Sequence, residues 1–424
     1  MHSNTIQNKQ QQRDSLHNGA VVAAAATVSF LGTNYAHAEG ADKLRVGLIG
    51  CGGRGTGAAG DCAKAHPSVQ IVALADMFRD RLDGCRASLA RLGDQYAVTD
   101  DRCFAGFDAY QRLIESGVDL VLLCMPPGFR PLHIKAVVEA GKHIFAEKPV
   151  AVDATGVRSV IASSELATQK NLSIVAGTIY RRHTAFRDII KRVQDGAIGD
   201  IVGANCYYNV GGVWLRPRQA GWSDMEWQLR NWYYFTWLSG DHIVEQHVHN
   251  LDVMNWAVGA HPVSAYGIGG REVRTPASYG HIYDHFTVEY EYPDGVKVVS
   301  MCRQQDGTAT RVADLIVGTK GTAEPRGWIK GATTYRYEGP TPDPYVQEHI
   351  DLIESIRGGK PMNEGKQIAE STLTAIMGRE SAYTGQQVSW DQALNSKLDL
   401  MPAKLEFGPL PVPPVAVPGK TPLI

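Results

Sequence analysis

From residue 44 onward the apolar positions fall into short continuous blocks separated by amphipathic stretches. Leu44-Arg45-Val46-Gly47-Leu48-Ile49 is the first block, and Val69 to Ala75 is the second, closed by Asp76. Asp119 to Cys124 is stopped by Met125-Pro126-Pro127, and His143 to Ala146 follows. Blocks this short and this apolar predict buried strands. Between them the spacing turns helical. Small residues run to about Ala65, and Phe78 to Leu92 mixes charged and apolar residues at helical spacing. Pro131 to Ala140 sets Ile134, Val137 and Val138 on one face and meets a stop at Gly141. Strands alternating with helices in this way predict a parallel sheet covered on both faces.

After the strand from Ser173 to Gly177 the pattern changes. Ile189, Ile190 and Val193 form a helix face that ends at Gly196. Strands follow at Ile198 to Asn209, His285 to Tyr292, Val296 to Cys302 and Asp314 to Gly318, with Pro293-Asp294-Gly295 as a hairpin turn. They predict a second, α+β domain with a large, mainly antiparallel sheet. Tyr345 to Arg357 and Glu370 to Thr384 read as helices packing back on the first domain. From Met401 the chain carries Pro409, Pro411, Pro413, Pro414 and Pro418, the mark of an extended arm that wraps a surface or crosses to another subunit.

A 424-residue chain suggests two or three domains. Its 42 Lys and Arg against 44 Asp and Glu leave a net charge of −2, which argues against a nucleic-acid partner. The seven cysteines are odd in number and loosely spaced, so neither a disulfide framework nor a zinc site is expected. Residues 1–38 stand apart as an export signal. Lys9 and Arg13 precede the apolar run Ala20 to Leu31, which ends in the small-x-small pattern Ala36-His37-Ala38. Gln12-Arg13-Asp14-Ser15-Leu16 resembles a twin-arginine motif with Gln12 in place of the first arginine. The expected destination is the periplasm, with no membrane insertion of the mature chain.

The chemistry starts at Gly50-Cys51-Gly52-Gly53-Arg54-Gly55, between the first strand and the first helix. In that setting Gly50 permits a tight turn, Gly52 lets backbone approach a pyrophosphate, and Gly55 lets helix and strand pack closely. The helix start offers free N–H groups to the phosphates. Asp76 is placed to accept the ribose hydroxyls, which favours NAD over NADP. The expected organisation is a Rossmann NAD-binding domain over 42–170, a substrate-binding α+β domain over 171–395 and an extended tail over 396–424.

Glu147-Lys148-Pro149, directly after a Rossmann strand, resembles the Gfo/Idh/MocA oxidoreductases. So does the segment Gly240-Asp241-His242-Ile243-Val244-Glu245-Gln246-His247-Val248-His249-Asn250-Leu251-Asp252. The resemblance implies an NAD-dependent enzyme of sugars, polyols or glycosides, and a homo-oligomer. It puts Gly50, Gly52, Gly53, Arg54, Gly55, Asp76, Met125, Pro126, Glu147 and Lys148 at the cofactor. It carries the family's acid and catalytic histidine onto Glu245 and His249.

Independently, hydride transfer from a carbinol needs a group to take the hydroxyl proton and a cation to steady the oxygen. Lys148 is a candidate cation. Glu245, His249 and Asp252, spaced i, i+4, i+7, would share one helix face, with Glu245 orienting His249. His247 lines the same pocket only if the helix begins near it. The His spacing is not that of a zinc helix, and no metal is expected. Arg182, His183, Trp232, Tyr233, Asp252 and His285 are candidate substrate contacts. Five tryptophans between Tyr207 and Trp237 suit either a rigid filler between domains or a carbohydrate cleft.

Two activities fit these residues. One is a simple dehydrogenase. The other is an NAD-dependent glycoside hydrolase working by transient oxidation, elimination, water addition and re-reduction with recycled cofactor. For the second, His247, His183, His285 and Tyr283 are candidates for the extra acid–base groups.

Overall fold

The structure is a computed structural model that describes residues 43–424. The export signal expected over residues 1–38 lies outside the described residues. The first sheet contains β1 (Leu44–Ile49), β2 (Val69–Asp76), β3 (Cys103–Ala105), β4 (Leu120–Leu123), β5 (His143–Ala146) and β6 (Ile174–Ala176). All pairs are parallel, in the order β3-β2-β1-β4-β5-β6. Val121, Leu122, Leu123, Ile144, Phe145 and Ala146 are all fully buried, which is why these blocks show no alternation. The strand order reverses between β1 and β4, and the crevice at their carboxyl ends is where such sheets bind ligands.

β6 corrects the expected domain boundary. It pairs with β5, Ile144 opposite Ile174, so the first sheet runs past residue 170. Three elements of this domain escaped the sequence reading: the short strand β3, the helix Ala109–Glu115 and the 16-residue helix Ala154–Gln169. The last begins at Asp153, whose carboxylate accepts the Gly156 N–H at 2.7 Å, an N-cap.

The second sheet has nine strands: β7 (Ile201–Val210), β8 (Ser264–Gly270), β9 (His285–Glu291), β10 (Lys297–Gln304), β11 (Arg311–Gly318), β12 (Gly321–Glu324), β13 (Trp328–Gly331), β14 (Tyr335–Arg336) and β15 (Val388–Ser389). Every pair is antiparallel except β7 with β10. Asp294 takes φ +61° in the hairpin between β9 and β10. The helix Pro344–Arg357 returns to the first domain, where Leu352, Ile353 and Ile356 share a buried cluster with Val46, Leu48 and Ala58. The helix Gly365–Thr384 packs on Ala154–Gln169 and on β8. The tail has no regular structure and runs over the chain's own surface. All seven cysteines are free thiols, and no helix among the described residues is long and apolar enough to cross a membrane.

Candidate active site

The glycine turn is built as its spacing demands. Gly50 sits at φ +97°, and a Cβ there would lie 2.4 Å from the Met125 nitrogen. A Cβ on Gly55 would come within 1.8 Å of the Gly50 carbonyl oxygen, so helix and strand touch backbone to backbone. At Gly52 and Gly53 a Cβ would meet nothing within 4 Å. These two glycines leave space that the protein itself does not use. The helix Gly53–Ala65 starts with no side-chain cap, so its first N–H groups are not taken by a capping side chain. Asp76 accepts the Cys51 N–H at 2.7 Å and the Phe78 N–H at 2.9 Å, which fixes its carboxylate at the strand end.

A cavity of about 580 Å³ opens here, within the usual range for small-molecule sites. Gly50, Gly52, Gly53, Arg54, Gly55, Asp76, Met125 and Pro126 all line it. Glu147 and Lys148 do not. Arg54 connects Glu147 to it: Arg54 lines the cavity, and its guanidinium pairs with Glu147, reaches Glu348 at 2.9 Å and lies 4.7 Å from the Tyr345 ring centre. Glu348 is fully buried with one oxygen unpartnered, and burial beside Glu147 pushes its carboxyl well above the ordinary range.

Lys148 follows β5 and is joined to Pro149 by a cis peptide bond. Its ammonium donates to the Glu245 main-chain oxygen at 2.7 Å and to the Glu245 carboxylate at 3.3 Å. Both side chains are nearly buried, at 10% and 9% exposed. Burial pushes the Glu245 carboxyl up, and Lys148 opposes that shift.

The expected helix face through Glu245, His249 and Asp252 does not form. Glu245 ends the short helix His242–Glu245, and His249 lies in the first turn of Val248–Val258, with His247 at its N-cap. The acid pairs with Lys148 instead of His249. The His249 Nδ1 is buried without a partner among the described residues, and its ring lies 5.5 Å from that of Tyr180. Burial, then the charges of Lys148 and Arg54, push its pKa well below the usual histidine value.

The expectations for His247, Asp252, Arg182 and Tyr233 are also corrected, whereas His183 and His285 are only partly buried and stay candidates. His247 points into the core, where its Nε2 shares hydrogen bonds with Ser300 Oγ at 2.7 Å and Cys206 Sγ at 3.7 Å. Asp252 is buried and used up by Arg181, Gln367 and Ser371. Arg182 is buried in ion pairs with Asp351 at 3.0 Å and Glu364 at 2.8 Å. Tyr233 is 2% exposed and accepts a hydrogen bond from Gln304. His285 is held by Asp284 at 2.8 Å at the start of β9. His183 packs edge-on to Phe186, the ring stacked on Tyr180.

The aromatic stretch faces the dinucleotide cleft. Trp214 and Trp232, with ring centres 5.8 Å apart, line the cavity alongside Met77 and Phe78, while Trp227 and Trp237 are core. Trp214 and Trp232 thus form part of the cavity wall, on the second domain's side. Sequence reasoning missed Tyr208, whose hydroxyl donates to Gln246 at 3.0 Å, and Arg326, which donates to the Tyr180 hydroxyl at 3.1 Å. Neither carries a local motif; only the sheet brings them to the His249 side.

Fold and site define a two-domain, dinucleotide-binding oxidoreductase architecture. Residues 44–176 match the profile described as "Oxidoreductase family, NAD-binding Rossmann fold", and residues 186–324 match the "GFO/IDH/MocA C-terminal domain". The chain belongs to the Gfo/Idh/MocA family, and its cofactor is NAD. It is 25% identical over 211 residues to 2,7-anhydro-N-acetylneuraminate hydratase of Escherichia coli K12, covering 48% of this chain and 50% of that protein. It is 24% identical over 258 residues to an inositol 2-dehydrogenase of Azotobacter vinelandii, covering 60% and 65%. The matched stretches thus span about half to two-thirds of these relatives. The fold superposes on the WlbA dehydrogenase from Bordetella pertussis, solved with NADH and UDP-GlcNAcA. The TM-score is 0.64 at 18% identity, covering 82% of this chain and 98% of that one.

Proposed function

We propose that the chain is an NAD(H)-dependent oxidoreductase that works on a hydroxyl-bearing carbon of a sugar, polyol or glycoside. The observation that carries this is the Lys148–Glu245 pair beside His249, directly after Glu147, whose carboxylate pairs with the cavity-lining Arg54. The residues around Gly52, Gly53 and Asp76 suit NAD, which supplies hydride acceptance when bound.

The chain's own groups supply the rest. Lys148 spends two donors on Glu245 and keeps a third for the substrate oxygen, where it steadies developing negative charge. His249, kept neutral by its surroundings, takes the hydroxyl proton. Glu245 aims the ammonium. Tyr180, Tyr208 and Gln246 offer hydroxyl and amide groups for orienting the carbohydrate.

The likeness to a hydratase supports a second reading, the NAD-recycling glycoside hydrolase. One experiment separates the two. The purified chain is assayed with free sugars and polyols plus NAD, and with nitrophenyl glycosides without added cofactor. Stoichiometric NADH from the first set supports the dehydrogenase; aglycone release without net NADH supports the hydrolase. No turnover of either set, by a chain that binds NADH, overturns the carbohydrate assignment. We further propose that the leader expected over residues 1–38 exports the chain from the cytoplasm, which fractionation of cells carrying the tagged full-length chain tests.

A further inference from the structure

We propose that the C-terminal tail straps the dinucleotide cleft shut, so that bound nucleotide leaves slowly and serves many turnovers. The inference rests on reading that cleft as the NAD site. The cleft is shared between domains: Asp76 and Phe78 line it from the first, and Trp214, Arg230 and Trp232 from the second. Arg230 ties the two walls together. Its guanidinium reaches both Asp80 carboxylate oxygens at 3.2 Å and lies 3.8 Å from the Phe78 ring centre.

The tail then clips this joint from outside. On the second-domain side it holds the helix Asp224–Arg230, which ends in Arg230. The Met225 N–H donates to the Gly408 oxygen at 3.1 Å, and the Gln228 amide donates to the Leu410 oxygen at 2.7 Å. In return, the Leu410 N–H donates to Asp224 at 3.1 Å. On the first-domain side the Phe407 ring lies 6.2 Å from Phe78 and 5.3 Å from Phe107, both of which line the cavity.

Phe407 is itself 51% exposed, so ordinary core burial does not explain its place. Four residues of tail therefore join both walls of one cleft. Parting the two walls requires that Arg230 leave Asp80 and that the tail lift from one of them. Slow release favours a redox-neutral reaction. The hydride taken from one carbinol carbon and the proton taken from its hydroxyl return to the carbon and oxygen of the same product, or of a second carbonyl, with no net oxidant.

The test is the NADH dissociation rate of the full chain, followed by energy transfer from the cleft tryptophans to the nicotinamide. Phe407→Ala removes two aromatic pairs, and the dissociation rate is expected to rise about tenfold, with Phe407→Tyr returning it to the parent value. In the unaltered chain, NADH is expected to slow amide exchange across residues 405–410. A Phe407→Ala rate within twofold of the parent, or tail exchange indifferent to NADH, overturns the strap alone. A parent chain that binds no dinucleotide overturns both the strap and the NAD reading.

Discussion

Replacing Lys148 by Met tests stability and chemistry together. Among the described residues the ammonium is the sole partner of Glu245 Oε1, and Oε2 has none. Met fills similar volume but leaves a nearly buried carboxylate and the Glu245 main-chain oxygen unpaired. Breaking one side of a buried pair costs about 3–5 kcal/mol. Glu245 can escape part of that by taking a proton, because burial already pushes its carboxyl up. The loss should therefore be largest at high pH, where the carboxylate is forced to stay charged. Adding Glu245→Gln removes the buried charge and should recover most of the stability, a coupling that a double-mutant cycle reads directly.

Turnover should behave differently. Both the single and the double variant should lose roughly 10²–10³ in kcat, the usual effect of removing an oxyanion-stabilising donor. Because Lys148 does not line the dinucleotide cavity, NADH affinity should stay within about threefold, under 1 kcal/mol. Urea unfolding, NADH titration and steady-state rates on the active carbohydrate measure the three quantities. The reasoning is refuted if Lys148→Met keeps near-normal turnover, or if the double variant regains activity along with stability.

Three further outcomes follow from the same geometry. The depressed pKa of His249 keeps it neutral to low pH, so the acid limb of kcat/KM should fall below pH 6.5; a limb at or above that value contradicts its role as base. His133, His247 and His349 are buried and pushed down to about 3, whereas the unfolded chain protonates them near 6.5. Their contribution is complete above pH 6.5 and is lost as pH falls, by about 1.4 kcal/mol per unit for each. Urea midpoints at pH 7 and pH 5 should diverge accordingly, and less so in His349→Phe. Gly55→Ala, whose Cβ would meet the Gly50 oxygen, should lower Tm and abolish NADH binding. Gly52→Ala should leave Tm within a few degrees yet still weaken NADH by tenfold or more, as about 1.4 kcal/mol of lost backbone approach. Equal Tm losses in the two glycine variants would sink this account of the turn.

The sequence by itself determined the alternation of strands and helices, the glycine turn and the acid at the end of β2. These are local properties: apolar period, a positive φ and the position of a residue at a strand end are all set by near neighbours in the chain. Lys148 was legible for the same reason, since it directly follows a buried strand. Only the tertiary structure decided the partners. A regular spacing placed Glu245 with His249, but the helix breaks at Gln246 and His247, so Glu245 meets Lys148 from 97 residues away. Arg182 and Asp252 looked like free polar groups, yet each is consumed by ion pairs with residues far away in the chain, because a buried charge has to find a partner. The role of the tryptophan-rich stretch depended on which surface the second domain presents to the first, and that is set by the packing of the whole molecule.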